Sequence, residues 1–513
     1  MTEADAPLPI DRSSPPLPVY RADKNPRFRG NPFIEALPDI PTTEEAYESL
    51  AHRPLPRPEG FRLLARNRKI DLLGELQQLF VPTHQHIRAL QNIVGAIRDC
   101  YEYRDLNRPA VQERLYNVAR GQRIGITRLS PTGGGSNGMV LWGITGSGKT
   151  SFVDRLEEFI YSQQASDPAI ARRPIYHRLV QGMPSLWPQL PIVRIQCNIT
   201  LKGTIRALFA QIDGALGTGL GGTISSRASR EEMVESVKQV LTIHFVGLLV
   251  VEDVHKLTDT TSVVLEYFCD IMEEAGFPVL LVGTYKFRRA LVADLAVASK
   301  LTAKGKFEFA LMELSGERDD DSSDAEGTEA LDEDDEDEWT PFVEEMWSLN
   351  VFSKPRKMPS GFRAWLHFHT MGIRRIARLM MRALFERSLD DEDIVVNIDL
   401  LDRIASVELL EFQEALNRLR MRAVGLPLDD DLAAQYEHLM LPLDSKLAFE
   451  DAVKTRKNTQ SRSKLESADL KGSVKSNPSA KKAMTKRKRK PTHTLPPATA
   501  EQVYAKFKKG RKN

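Results

Sequence analysis

The chain has 513 residues, 41% of them hydrophobic, which is enough for a real core in at least one compact unit and excludes a chain that is disordered throughout. Its 71 basic and 70 acidic residues nearly cancel, but residues 317–338 carry 14 acids against one base and residues 452–513 carry 19 bases against 3 acids. The charge is segregated, so net charge excludes neither acidic nor basic partners.

Residues 1–60, beginning MTEADAPLPIDRSSPPLP, are proline-rich and lack long apolar periodicity, and predict an extended N-terminal arm that can dock on a core. That acidic start is not a basic-then-apolar signal peptide. Residues 61–130 form a helical unit, because segments such as HIRALQNIVGAIRDCYEY space apolar residues by three and four. The turn signal PTGGGSNG opens residues 131–314, where short apolar runs (GMVLWGI, PIVRIQCNI, HFVGLLVVED, FPVLLVGT) alternate with helical stretches. Such alternation implies an α/β core with a parallel sheet covered on both faces. Residues 315–338 are too acidic to fold and predict a disordered insert, residues 339–425 return to helical periodicity as a small α-helical lid, and residues 426–513 read as a basic C-terminal tail. Cys100, Cys197 and Cys269 lie far apart without CxxC spacing, which suggests neither a disulfide framework nor a zinc site and fits a reducing, cytoplasmic interior. No apolar run approaches the roughly 18 to 20 residues of a membrane span.

The stretch GITGSGKT, residues 143–150, follows an apolar strand and opens a helix, the context in which G-x-x-x-x-G-K-[ST] binds phosphate. Gly143, Gly146, Ser147, Gly148, Lys149, Thr150 and Ser151 are the candidate nucleotide-binding residues: backbone N–H groups turn inward at the glycines, Lys149 reaches the phosphates, and Thr150 ligates Mg2+. About a hundred residues on, GLLVVEDVH delivers Glu252 and Asp253 at the end of a buried strand, the place of a Walker B acid pair. FPVLLVGT then ends in Thr284, a position similar to the sensor 1 polar residue of AAA+ ATPases, where a hydroxyl orients the attacking water.

Several stretches together resemble TnsC, the AAA+ regulator of heteromeric transposons. NPFIEALP within residues 20–40 is similar to its N-terminal motif. IYHRL, CNITLKGTIRALFAQIDGALG, LLVVEDVHKL and GFPVLLVGTYKFRRALVADL follow in the same order, and LPPATAEQVYAKF resembles the end of the long TnsC proteins. The acidic block has no obvious counterpart there. The resemblance implies an AAA+ P-loop NTPase that binds ATP and Mg2+, hydrolyses ATP without being a nuclease, and assembles as a ring or filament on duplex DNA. It also implies a bacterial, nucleoid-associated setting. Its implied partners are a TnsB-like transposase, a TnsA-like endonuclease met by the C-terminal tail, and a TnsD or TniQ type target selector. TnsC-like chains read Asp-Glu where this one reads Glu252-Asp253. Roles carried over by position give Glu252 the metal and Asp253 the attacking water. Asp253 is one methylene shorter than the usual base, which predicts slow hydrolysis.

A ring on DNA needs cations towards the phosphates, and Lys202 and Arg206 after PIVRIQCNI are candidates, although they equally suit a solvated helix face. KRKRK, 486–490, suits DNA, an acidic partner or a solvated tail. Where the resemblance leads one to expect paired arginines after sensor 1 the chain reads VASKLTAKGK, so Arg288 and Arg289 are the alternative intersubunit candidates. Arg374 and Arg375 are candidates for sensor 2, on a basic face continued by Arg378 and Arg382. Two other readings remain: an ATP-binding scaffold with little hydrolysis, and a helicase-loader-like AAA+ remodeller, which would share the P-loop but not NPFIEALP or LPPATAEQVYAKF.

Overall fold

The computed structural model describes residues 18–423 except 55–56, 58–59, 121–136, 165–173, 178–186, 220–228, 257–260, 293, 315–337, 355 and 392–393. The acidic block up to residue 337, KRKRK and LPPATAEQVYAKF lie outside the described residues. Seven strands occur among the described residues: β1 (Gly138–Gly143), β2 (Ile175–His177), β3 (Trp187–Gln189), β4 (Ile192–Gln196), β5 (Leu248–Glu252), β6 (Val279–Gly283) and β7 (Gly305–Phe309). Five of them form an all-parallel sheet in the order β4-β5-β6-β1-β7, and β2 and β3 pair antiparallel beside it.

The inner strands β1, β5 and β6 are buried at every residue, as expected of apolar runs covered on both faces, whereas the edge strands β4 and β7 carry partly exposed positions. In β7, Phe307 and Phe309 are buried while Lys306 is exposed and Glu308 partly so. That brief alternation, and the three-residue strands β2 and β3, escaped the sequence reading.

The period of two divides the core. On one face Met139, Leu141, Ile192, Leu248, Val250, Leu280 and Val282 pack with helix Lys149–Tyr161, helix His84–Glu102 and the N-terminal segment. On the other, Val140, Trp142, Val193, Ile195, Leu249, Val251 and Leu281 meet helices Leu201–Leu216, Arg230–Ile243 and Thr261–Ala275. This second cluster runs on without a break into the C-terminal helices Trp339–Ser348, Phe362–Thr370, Arg374–Asp390, Ile398–Glu408 and Gln413–Ala423.

The N-terminal segment differs from the extended arm expected of residues 1–60. Its described part holds two helices, Pro32–Glu35 and Thr43–Leu50, and is built into the core. Asn31 caps the first, accepting from Phe33 N at 3.0 Å while its Nδ2 donates to the Tyr101 carbonyl at 2.8 Å. Pro32 occupies the first helical turn, where no N–H is needed. Phe33 is fully buried against Phe245, His177 and Tyr101, and Gln189 Nε2 donates to its carbonyl at 2.9 Å. The buried Arg98 guanidinium pairs with Asp23 and donates to the Pro38 carbonyl. Composition suggested an arm because these contacts are tertiary and leave no local periodicity.

Replacing Phe33 with Ala should lower stability to urea by about 3 to 4 kcal/mol, because a fully buried ring leaves a cavity. A loss below about 1 kcal/mol would show that the segment does not belong to the core.

Candidate functional site

A parallel sheet ends all its strands at one edge, and in α/β folds ligands collect there. β1 leads at that edge into a loop whose Gly146 (φ 92°) and Gly148 (φ 101°) adopt left-handed conformations that glycine reaches without strain. These turns deliver the chain directly into helix Lys149–Tyr161, whose N-cap Gly148 supplies no side chain. The first N–H groups of the helix therefore open towards the loop, an arrangement that suits an anion. Thr150 is exposed in the first turn and Ser151 is half-buried. Lys149 Nζ donates to the carbonyls of Gly143 at 2.9 Å and Ile144 at 2.7 Å, which leaves one of its three donors. Burial pushes the Lys149 ammonium down to about 8, with the carboxylates of Asp253 and Glu252 pulling the other way.

Register brings the remaining residues to the same edge. Trp142 on β1 lies opposite Gly283 on β6, so Thr284 follows level with Gly143. β6 also pairs with β5, whose last residue is Glu252. Glu252 is buried; its Oε2 accepts from Arg194 Nε at 2.7 Å, and its backbone carbonyl accepts from Cys197 N at 2.8 Å. Asp253 leaves the strand in a left-handed conformation, φ 58°, unusual for a residue with a Cβ. Its Oδ2 accepts from Lys256 Nζ at 2.7 Å.

Arg374 and Arg375, inseparable in sequence, are distinct in space. Arg374 is buried, donates through Nη1 to the Val81 carbonyl at 2.8 Å and lies over the Phe80 and Phe342 rings. Burial lowers its guanidinium to about 10. Arg375 is exposed, and its backbone N–H donates to the Gly146 carbonyl at 3.3 Å, tying this helix to the loop. Arg378 donates to the Gln77 and Leu79 carbonyls, and Arg382 to Glu386, so both serve the packing of the helix.

Among the described residues, buried Ser147 Oγ, Thr284 Oγ1 and Arg374 Nη2 around the loop have no hydrogen-bond partner. They come from the loop, the end of β6 and the C-terminal helices, and buried polar groups of this kind call for partners. A polyphosphate with its water supplies both signs of hydrogen bond there. Among the described residues no group of three or more His, Cys, Asp and Glu is placed to hold a metal. A divalent ion here would need ligand oxygens in addition to Thr150 and Glu252, the habit of Mg2+ in phosphate sites.

The other candidates stand apart from this edge constellation. Lys202 and Arg206 occupy the first two turns of helix Leu201–Leu216, Lys202 half-buried and Arg206 exposed. Arg288, on helix Tyr285–Val292 with Arg289, is half-buried over the Trp142 ring at 5.7 Å. In VASKLTAKGK, Lys300 pairs with Glu273 at 2.7 Å, Lys304 with Asp99 at 3.0 Å, and Lys306 lies over the same Trp142 ring at 5.5 Å. Arg194 was missed in the sequence; its signal was a lone charge inside the apolar run PIVRIQC. Asp154, its partner at 2.6 Å, sits four residues after Thr150 and so on the same helix face.

A bound phosphate would keep Lys149 protonated, whereas the free loop loses that proton above about 8. Affinity for a nucleoside triphosphate should therefore be level below this pH and weaken as pH rises above it, by up to about tenfold per unit. Calorimetry across the range checks this; an affinity that stays constant or strengthens would contradict it.

Solved structures similar to parts of the chain include a Cdc6p and an Orc1 protein. Cdc6p from Pyrobaculum aerophilum shares 12% identity at a TM-score of 0.30, over 55% of this chain and 63% of its own, so less than two thirds of that protein is spanned. Orc1 from Aeropyrum pernix, solved in complex with DNA, shares 16% identity at a TM-score of 0.36, over 70% of this chain and 73% of its own. No curated protein matches the sequence. Among the described residues no helix is long and apolar enough to cross a membrane. Residues 134–291, which span β1 to β6 and the glycine loop, match the family described as "AAA domain", and the five-stranded parallel sheet with its helices is an AAA+ fold.

Proposed function

We propose that this protein is an ATP-dependent regulator of DNA transposition, which assembles on duplex DNA, receives a target selector and activates a transposase. The observation that carries the nucleotide part is the convergence of Lys149, Thr150, Glu252 and Thr284 on the glycine loop, with buried Ser147 Oγ and Thr284 Oγ1 awaiting partners. ATP would lie along Gly143–Ser151 with Arg375 beside it. Mg2+ would supply charge neutralisation on the phosphates, held by Thr150 and Glu252. Asp253 and Thr284 would orient the attacking water.

The transposition part is supported by the TnsC resemblance. NPFIEALP, which carries much of it, forms a capped helix buried in this core, so a likeness there reaches the architecture as well as the surface. Under this reading Lys202 and Arg206 face DNA phosphates, Arg288, Arg289 and Arg375 serve intersubunit contact or nucleotide sensing, and the tail after residue 425 meets a TnsA-like endonuclease. TnsB-like and TnsD/TniQ-like proteins complete the set of partners.

A long-lived ATP state with slow hydrolysis is favoured by one further observation. Asp253, the residue assigned to the water, is short, follows a left-handed turn in its own backbone and is paired with Lys256. An ångström of misplacement at such a base costs on the order of a hundredfold in rate.

Mixed with duplex DNA and a non-hydrolysable ATP analogue, the full-length protein should form DNA-bound rings or filaments visible by electron microscopy, and none with ADP. Absence of a nucleotide-dependent assembly on DNA would overturn the reading.

A further inference from the structure

Arg194 is an anomaly on an edge strand. Alternation puts Ile192, Arg194 and Gln196 on the face covered by helix Lys149–Tyr161, where the inner strands offer apolar side chains. Its side chain is only 19% exposed, and its guanidinium joins three acids from two elements. Nε donates to Glu252 Oε2 at 2.7 Å, Nη1 donates to Asp154 Oδ1 at 2.6 Å, and Glu157 Oε2 lies 3.9 Å from Nη1. A cavity of about 420 Å³, lined in part by Glu157, Arg194, Gln196, Gln211 and Glu252, runs along this strand.

The pairing links the two elements that carry the expected metal ligands. Asp154 stands one turn beyond Thr150 on the loop helix, and Glu252 ends β5, a strand separated from β1 by β6. No hydrogen bond between strands fixes the distance from β5 to that helix; the planar fork of Arg194 does. Glu252 also has one more rotatable bond than the aspartate usual at this position, so an unrestrained carboxylate would spread over more rotamers. Arg194 engages Oε2 and leaves Oε1 for a further ligand.

We propose that Arg194 is a positioning residue for the divalent ion: by holding Glu252 Oε2 and Asp154 with one guanidinium, it fixes the strand end against the loop helix and presents the other Glu252 oxygen to the metal. The inference rests on the nucleotide reading of this edge. Outer partners of metal ligands commonly change metal affinity by about 10- to 100-fold.

The test measures binding, not turnover. Full-length protein carrying a fluorescent ATP analogue in EDTA is titrated with Mn2+, and melting temperature is recorded for each variant. For Arg194→Gln, analogue affinity in EDTA should stay at the wild-type value while apparent Mn2+ affinity falls by about 10- to 100-fold. In a Glu252→Asp background the shorter acid withdraws from the guanidinium, and Arg194→Gln should have little further effect, a non-additivity that an independent structural role would not give. Should Arg194→Gln fail to fold, Asp154→Asn removes the helix end of the link from a partly exposed position and should weaken Mn2+ in the same direction, by less. A lowered melting temperature with unchanged Mn2+ affinity would make Arg194 merely structural, and a tightened affinity would make it a competitor of the metal; either overturns the proposal. Failure of the wild-type protein to bind the analogue at all would instead overturn the nucleotide reading, and this inference with it.

Discussion

Parallel pairing of β5 between β4 and β6 is the constraint from which the site follows. It places Glu252 at the same edge as the glycine loop although another strand lies between them, and the bond from Cys197 N–H to the Glu252 carbonyl carries the pairing to the last residue. Three fully buried strands give this edge a rigid base. The loop itself is then shaped by two left-handed glycines, and the C-terminal helices close on it through Arg375 and Arg374. Each of these steps depends on the one before. A slip of one residue in β5 would send Glu252 to the opposite face and leave Arg194 facing an apolar neighbour.

In the structure the cations of the site already have protein acceptors. Lys149 rests on two loop carbonyls, Arg194 on Glu252 and Asp154, and Lys256 on Asp253. Lys149 and Arg194 are largely buried, where charge without a partner is costly, so their acceptors satisfy them before any ligand arrives; the exposed Lys256–Asp253 pair adds little. On the proposed reading, ATP and Mg2+ bind by exchange of partners: phosphate replaces carbonyls at Lys149, and the metal joins Arg194 at Glu252. An exchange is less costly than burying new charge, and it gives the site two discrete arrangements, which a switch requires.

Legibility followed the range of the interactions. Strands buried on both faces announce themselves as unbroken apolar runs, so β1, β5 and β6 could be read directly, and the glycine loop came with them. β7 could not, because only Phe307 and Phe309 face inward. The N-terminal helices could not either: Asn31 is satisfied by Tyr101, and Phe33 by Phe245 and Gln189, partners between 70 and more than 200 residues away. The Glu-Asp order was visible, but not the partner of Glu252. That partner is Arg194, a strand residue whose contacts depend on which helix covers it. Arg374 and Arg375 are adjacent and chemically identical, and only packing sorts the buried one from the one beside the loop.

Equilibrium binding of ATP with Mg2+ to the wild-type chain and to Lys149→Ala tests the central claim most directly. Removing a charged hydrogen-bond donor from the phosphates should cost about 1.5 to 3 kcal/mol, or roughly 10- to 100-fold in affinity, while both proteins melt as folded chains. Equal affinity in the two proteins would place nucleotide binding elsewhere and contradict the account.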